Sequence, residues 1–151
     1  MLLFFKEPRV SPLIEELLRR GPVVTDGAWG TQLQQRGLSS GDCPDAWNLS
    51  HASLVEEVPR AYVEAGSRIV LTNTFRANRL ALASYGLAQS VGEINRKGVE
   101  ISLRAAGQQA LVFGSMGPSG KLLLSEEVTR DELQQAFEEQ AAALAAAGAA
   151  G

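Results

Sequence analysis

The chain has 151 residues, of which 45% are hydrophobic and 21% charged, and its formal net charge is −3 with one Cys and one His. These values are typical of a soluble globular protein of at most one ordinary domain. They exclude an intrachain disulfide scaffold and give no basic footprint for nucleic acid. The apolar opening 1–5 is too short for a signal peptide, no apolar run predicts a membrane span, and an unpaired thiol favours the cytoplasm.

Helix and strand signals alternate along the chain. Helices are indicated by apolar residues that repeat at helical spacing, and strands by short apolar or β-branched runs. The predicted elements are helix 11–20, strand 23–25, loop 37–50, helix 53–65, strand 68–72, a short helix ending before 86, helix 90–106, strand 110–113 and helix 129–147. The strands are expected to be buried, because they lack polar alternation.

Single residues predict how two of these helices begin or deform. Ser53 is expected to cap helix 53–65, and Pro59 is expected to kink or shorten it. Thr129 with Glu132 three positions later predicts a capping box at the start of the last helix. The sequence therefore predicts an interrupted helix in the first case and a well-defined start in the second.

Short apolar strands separated by helices predict an α/β fold of parallel strands covered by helices. The strands start near 23, 69 and 110, so a fourth is expected near 150. A (β/α)8 TIM barrel takes eight such units in about 250 residues. We therefore predict an extension and helix over 1–22, followed by the amino-terminal part of a barrel, about three βα units, over 23–151. The alternative is a small complete three-layer α/β domain.

Loops at the carboxyl ends of the predicted strands are the expected site, as in other parallel α/β folds. These loops are 26–31, 73–78 and 114–120. In the first loop, glycine N–H groups can take a carboxylate while Asp26 takes an ammonium, a combination that suits a zwitterion. The alternative is that Asp26 and Gly27 only form a tight turn.

Other kinds of site find little support in the residues present. The glycines of 114–120 have the wrong spacing for a nucleotide-binding Walker loop. Cys43 and His51 make a poor metal site, so both are expected to be structural. With one His in the chain, no nucleophile, base and orienting group can be assembled, and no catalytic residue is predicted.

Six short motifs follow one another in a fixed order over nearly the whole chain. They are Thr25-Asp26-Gly27-Ala28-Trp29-Gly30-Thr31 with Leu33, Trp47-Asn48-Leu49-Ser50, Tyr62-Val63-Glu64-Ala65-Gly66, Thr72-Asn73-Thr74-Phe75, Glu93-Ile94-Asn95 and Gly114-Ser115-Met116-Gly117-Pro118-Ser119-Gly120. Each motif alone is weak. Together they resemble the homocysteine S-methyltransferase family, which includes the homocysteine-binding domain of cobalamin-dependent methionine synthase.

The resemblance implies a barrel that binds zinc through three cysteines, holds homocysteine as a thiolate and methylates its sulfur to give methionine. A metal-bound thiol is deprotonated at neutral pH, and the thiolate is the nucleophile. The family's zinc cysteines lie in Asn-Cys and Gly-Gly-Cys-Cys contexts that are absent here, so no metal ligand is predicted and Cys43 is not one. The resemblance assigns the amino-acid head group to Asp26 and Gly27, with Asn73 and Ser115 as further pocket residues.

Three features depart from the family pattern, namely Arg76 after Thr-Asn-Thr-Phe, Pro59 inside a helix and Ser67-Arg68 after Ala-Gly. We predict a cytoplasmic chain that carries part of the homocysteine pocket but is inactive alone, the methyl donor of the whole enzyme being methylcobalamin or another donor. The alternative is a non-catalytic half-barrel or small amino-acid-binding module that pairs with another chain. Its open sheet edges predict possible self-association.

Overall fold

The computed structural model describes residues 11–19 and 21–151. The elements in this part of the chain are the helices α1 (Pro12–Arg19), α2 (Trp29–Gln35), α3 (Trp47–Ser50), α4 (Ala52–Glu64), α5 (Arg79–Ala83), α6 (Val91–Ala106) and α7 (Arg130–Ala146), the strands β1 (Ile69–Leu71) and β2 (Leu111–Phe113), and 3₁₀ turns at Ala88–Ser90 and Leu123–Ser125. The opening 1–5, the first ten residues of the predicted extension 1–22, and Arg20 at the end of the predicted first helix lie outside the described residues.

β1 and β2 form a parallel pair at the centre of the described structure. Their register places Val70 opposite Val112, and both side chains are buried. The chain returns to the start of β2 through α6, because parallel strands need a crossover connection and a helix supplies it. The predicted strands 68–72 and 110–113 and their parallel arrangement are therefore confirmed, with each strand one or two residues shorter than predicted.

Segment 23–25 lies beside β1 but is not the buried strand that the sequence predicts. Thr25 forms a single parallel bridge with Ile69. The Arg68 N–H donates to the Val24 carbonyl at 2.8 Å, yet Val24 is 61% exposed. The prediction is wrong about burial because the described residues hold this segment from one side only and leave its outer edge open.

Ser67 and Arg68, which depart from the family pattern, both bond to neighbouring segments. The Ser67 hydroxyl donates to the Thr25 carbonyl at 3.2 Å, and Arg68 Nη1 donates to the Gln109 carbonyl at 3.1 Å. The two side chains therefore tie the start of β1 to the segment on one side of it and to the turn before β2 on the other.

The last two residues follow the other side of β2. The Ala150 N–H donates to the Val112 carbonyl at 2.8 Å, and the Gly114 N–H donates to the Gly151 carbonyl at 2.7 Å. These bonds are those that a further parallel neighbour makes, at the position where the sequence predicts a fourth strand. The order across the sheet is thus segment 23–25, β1, β2 and residues 150–151.

Helix α4 differs from its prediction at two residues. It begins at Ala52, and the residue before it, His51, makes no side-chain capping bond, so the prediction that Ser53 caps the helix is wrong. It also continues through Pro59 to Glu64, so the predicted shortening does not occur. Val55 and Val58 are fully buried beside Pro59, and this packing offsets the hydrogen bond that proline cannot donate.

Among the other helices, one predicted boundary is confirmed and two helices are present that the sequence analysis did not predict. Thr129 and Glu132 form the predicted capping box, in which the Thr129 N–H donates to Glu132 Oε2 at 2.8 Å. Helix α3 lies within the predicted loop 37–50, and α2 begins inside the predicted loop 26–31 and continues through residues for which no element is predicted. Each helix buries one large side chain, Leu33 in α2 and Trp47 in α3. No helix in the described part of the chain combines the length and apolar character needed to cross a membrane.

Helix α6 packs against α4 on one side and α7 on the other. It also approaches the loop that follows β1, because Gly98 has no side chain there. A Cβ atom at Gly98 would lie 2.6 Å from Thr74 Cγ2 and 2.8 Å from Asn48 Nδ2. This close approach brings the polar side chains of three elements together behind the carboxyl end of β1.

Candidate functional site

A cavity of about 330 Å³ opens at the carboxyl ends of the strands. Its wall comes from the start of α2, the loop before α3, the end of β1 with the loop after it, and Ser115 after β2. All three loops that the sequence predicts for the site, 26–31, 73–78 and 114–120, contribute to this wall. A cavity of this size accommodates a small molecule such as an amino acid.

Asp26 fixes two residues of this wall by hydrogen bonds. Its Oδ2 accepts the Leu71 N–H at 2.8 Å and the Trp29 indole N–H at 2.9 Å. Its Oδ1 is buried and has no hydrogen-bond partner among the described residues. Burial raises the pKa of the Asp26 carboxyl, although the two hydrogen bonds counteract this. Asp26 therefore joins loop 26–31 to β1.

Gly27 stands beside the cavity rather than in its wall, and it faces Tyr62. A Cβ atom at Gly27 would lie 3.1 Å from the Tyr62 hydroxyl oxygen. That hydroxyl donates to the Ala28 carbonyl at 3.3 Å. A side chain at position 27 would therefore require Tyr62 to move by a few tenths of an ångström.

Asn73 lines the cavity and is held from behind by Asn48. Its Nδ2 donates to the Pro44 carbonyl at 2.8 Å and to Asn48 Oδ1 at 3.0 Å. Asn48 Nδ2 donates in return to the Asn73 carbonyl at 2.8 Å and to the Ile94 carbonyl at 3.1 Å. The described residues make no hydrogen bond to Asn73 Oδ1, so this acceptor is available to a ligand.

Ser115 also lines the cavity, and its backbone is held there by two threonines. The Ser115 N–H donates to Thr72 Oγ1 at 2.9 Å, and its carbonyl accepts from Thr74 Oγ1 at 2.8 Å. The hydroxyl of Ser115 makes no hydrogen bond within the described ranges. Asn73 and Ser115, which the resemblance proposed as pocket residues, are thus brought to one cavity.

Asp45 lines the cavity although the sequence did not predict it as a site residue. It is 2% exposed, and its Oδ1 accepts the Arg76 N–H at 3.0 Å. Burial raises the pKa of the Asp45 carboxyl to about 6. The feature of the sequence that could have indicated Asp45 is its position two residues before Trp47, the first residue of a motif that carries the family resemblance.

Cys43 and His51 are each accounted for by packing. Cys43 is buried with Leu82 and Ile94 in a hydrophobic cluster, and burial raises the pKa of its thiol. His51 stacks on Trp47 with 4.4 Å between ring centroids. Across residues 11–19 and 21–151, no three His, Cys, Asp or Glu side chains are grouped so as to bind a metal ion. The residues present therefore do not fit the zinc site that the family resemblance implies.

A small-molecule cavity at the carboxyl ends of parallel strands, with helices packed on them, is typical of α/β proteins, barrels among them. The model of one family, homocysteine S-methyltransferase, matches residues 23–150. The chain belongs to that family.

Individual relatives extend this comparison. The methionine synthase of Mycobacterium leprae (strain TN) is 33% identical over 151 aligned residues, which cover 92% of this chain and 12% of that protein. The methionine synthase of Mycobacterium tuberculosis (strain ATCC 25618 / H37Rv) is 32% identical, with 89% and 12% covered. The chain therefore spans about 12% of the length of these curated relatives.

Solved structures of a homocysteine methyltransferase match the fold. The metallated form of MmuM from Escherichia coli has a TM-score of 0.76 and 25% identity, covering 90% of this chain and 54% of that one. The oxidized form of the same protein has a TM-score of 0.74 and 26% identity. The described chain thus has the fold of about half of that methyltransferase, which supports the predicted partial barrel.

Proposed function

We propose that this chain carries the homocysteine-recognition part of a homocysteine S-methyltransferase. The observation that carries the proposal is the convergence of three separate strand-end loops on one cavity, in a chain that belongs to this family. The whole enzyme would transfer a methyl group to the homocysteine sulfur, so that an S–C bond forms as the methyl group leaves its donor and the thiol proton is lost.

The amino-acid head group is proposed to bind beside Asp26 and Gly27, next to the part of the cavity wall that Trp29 and Gly30 form. The unpartnered Asp26 Oδ1 supports a contact with an ammonium group, because a buried acceptor without a donor is costly and a ligand N–H would satisfy it. The Asn73 side-chain oxygen and the Ser115 hydroxyl are proposed to hold the rest of the substrate.

The chain by itself is proposed to bind without turnover. Zinc dependence and the methyl donor, methylcobalamin or another, belong to the proposal for the whole enzyme, and we derive no metal-dependent step from the residues present. The domain division at 22/23 and the cytoplasmic location remain predictions of the same kind, as does the expectation that no nucleic acid or membrane is a partner.

Titration calorimetry of the 151-residue chain with L-homocysteine tests the binding proposal. We expect saturable binding that Asp26→Asn weakens by about tenfold or more, because a charge-assisted hydrogen bond is lost. Asp131→Asn, on the exposed first turn of α7, is the matched control and should leave the affinity unchanged. Equal affinity in wild type and Asp26→Asn would contradict the assignment of Asp26.

A methyl-transfer assay combined with a zinc titration tests the second half of the proposal. We expect no turnover and no stoichiometric tight zinc binding by the chain alone. Measurable methionine formation, or zinc held at one equivalent through chelator challenge, would overturn the idea that this chain binds without reacting.

A second candidate is a non-catalytic half-barrel that pairs with another chain. The exposed edge at Val24 favours it, because an unpaired strand edge is a template for association. Sedimentation velocity separates the two candidates. A dimer that persists at low micromolar concentration supports pairing, whereas a monomer that binds homocysteine supports the first proposal alone.

A further inference from the structure

The carboxylate that the described residues place in the cavity wall is that of Asp45. Asp26 stands beside this wall and bonds to it through Trp29. The Asp45 side chain is almost fully buried, and its Oδ1 accepts the Arg76 N–H at 3.0 Å. No side chain of a described residue donates a hydrogen bond to this carboxylate, so a ligand in the cavity can supply a donor to it.

No described residue forms an ion pair with Asp45. The charged and titratable groups near it are the Arg76 guanidinium, from the loop after β1, and the Cys43 thiol, from its own loop. The guanidinium lies instead over the Tyr85 ring, with Cζ 6.0 Å from the ring centroid. A buried carboxylate without an ion-pair partner is unfavourable unless another cation reaches it.

The hydrogen bond that holds Asp45 does not require this negative charge. An uncharged side chain of the same shape would still accept the Arg76 N–H through its carbonyl oxygen. Burial raises the pKa of Asp45 to about 6, so the group is ionised at neutral pH against the preference of its surroundings. Unfavourable charges of this kind cluster where a ligand is bound.

We propose that Asp45 is a specificity-determining residue that binds the ammonium group of the amino-acid ligand, alongside Asp26. The inference rests on the proposed function, because it takes the ligand to be an amino acid. It adds a residue that selects ligands by positive charge. The Asp45 Oδ2 would accept an N–H of the ammonium, and the Arg76 N–H would hold the carboxylate in position.

The test compares ligands with and without the amino group. L-homocysteine and 4-sulfanylbutanoate, which lacks only that group, are titrated into wild type, Asp45→Asn and the control Asp131→Asn. We expect wild type and control to prefer homocysteine by about tenfold or more, and Asp45→Asn to lose most of that preference because the charged contact is gone. An unchanged preference in Asp45→Asn overturns the proposal.

Two additions keep the test decisive. Circular dichroism checks that Asp45→Asn folds. The variant Asp45→Glu, which keeps the charge, is expected to retain part of the preference for homocysteine. If Asp45→Asn is unfolded and Asp45→Glu shows no preference, the proposal is overturned. L-methionine and 4-(methylsulfanyl)butanoate form a second ligand pair. If wild type binds methionine but not homocysteine, the proposed function is contradicted. The preference for methionine over 4-(methylsulfanyl)butanoate then still tests the role of Asp45. If neither amino acid is preferred over its partner, the assignment of Asp45 is overturned.

Discussion

The loop after β1, residues 72–78, and segment 23–25 both adjoin β1, but they are held very differently. The loop carbonyls of Asn73, Thr74 and Ala77 accept buried amide groups from three helices. The amide groups belong to Asn48, Gln140 and Asn95. Segment 23–25 has β1 on one side and an open edge on the other. Buried amides therefore give the cavity one wall of fixed shape, whereas segment 23–25 has no such anchors on its outer edge.

Removing an amide from the network should have the largest effect on stability. Asn48→Leu removes the side-chain donor of the Asn73 carbonyl, a second donor of the Ile94 carbonyl, which also lies within α6, and one of the two acceptors of the Asn73 amide. Each unsatisfied buried group costs about 1–3 kcal/mol, so we expect a loss of about 4 kcal/mol in urea unfolding. Gln108→Leu, in an exposed turn, should change stability by less than about 0.5 kcal/mol. Similar losses in the two variants would contradict the anchored wall.

Neutralising Asp45 should instead raise the free energy of unfolding, by an amount that depends on pH. Its pKa is raised to about 6 in the folded chain from an ordinary 3.8. The free energy of unfolding therefore falls as the pH rises from 3.8 to 6. Well below pH 3.8 the carboxyl is neutral in both the folded and the unfolded chain. Asp45→Asn should therefore be more stable than wild type at pH 8, by up to about 3 kcal/mol. The difference should shrink below pH 6 and vanish near pH 3. Urea unfolding across this range checks the sign, and a less stable variant at pH 8 would refute it.

The close approach of α6 to the same loop predicts a smaller loss. Gly98→Ala places a Cβ atom 2.6 Å from Thr74 Cγ2, and overpacking of this kind costs about 1–3 kcal/mol. Gly92→Ala is the matched control on the same helix, since a Cβ atom there meets nothing within 4 Å. The control should gain about 0.5–1 kcal/mol from helix propensity. Thermal unfolding of both variants should give shifts of opposite sign.

A substitution on the exposed edge of segment 23–25 should change the free energy of unfolding least and self-association most. Val24→Lys changes an exposed residue, so the free energy of unfolding should move by less than about 0.5 kcal/mol. A lysine at a strand edge opposes pairing, so any self-association of wild type should weaken in sedimentation velocity. Leu18→Lys, an exposed position on α1, serves as the control and should not affect it. Equal effects of the two lysines would show that the edge is not the contact.

The sequence predicted those parts of the fold that carry a repeating pattern. Parallel strands β1 and β2, helices α4, α6 and α7, and the capping box at Thr129 follow from periodicity and from short polar signals. Helix α2 was missed because its seven residues include Gly30 and Thr31, which favour other conformations, and are too few to show a period. Segment 23–25 was expected to be buried because apolar character alone does not say what covers a strand.

The site was predictable only as far as loop position determines it. Asn73 and Ser115 follow strands directly, so the parallel arrangement brings both to the cavity. Asp45 lies in an irregular loop, and its importance comes from burial and from a hydrogen bond to Arg76, which is distant in sequence. Neither contact leaves a local pattern, so single acidic residues in loops need a structure before they can be ranked.

The indole of Trp29 makes the cavity optically observable. Its N–H is bonded to Asp26 while its ring forms part of the wall, so a molecule that enters displaces water from a fluorophore whose orientation is already set. The chain has two tryptophans, and the other, Trp47, is buried against His51. Emission from the Trp47→Phe variant would consequently report occupancy of the cavity without any attached dye.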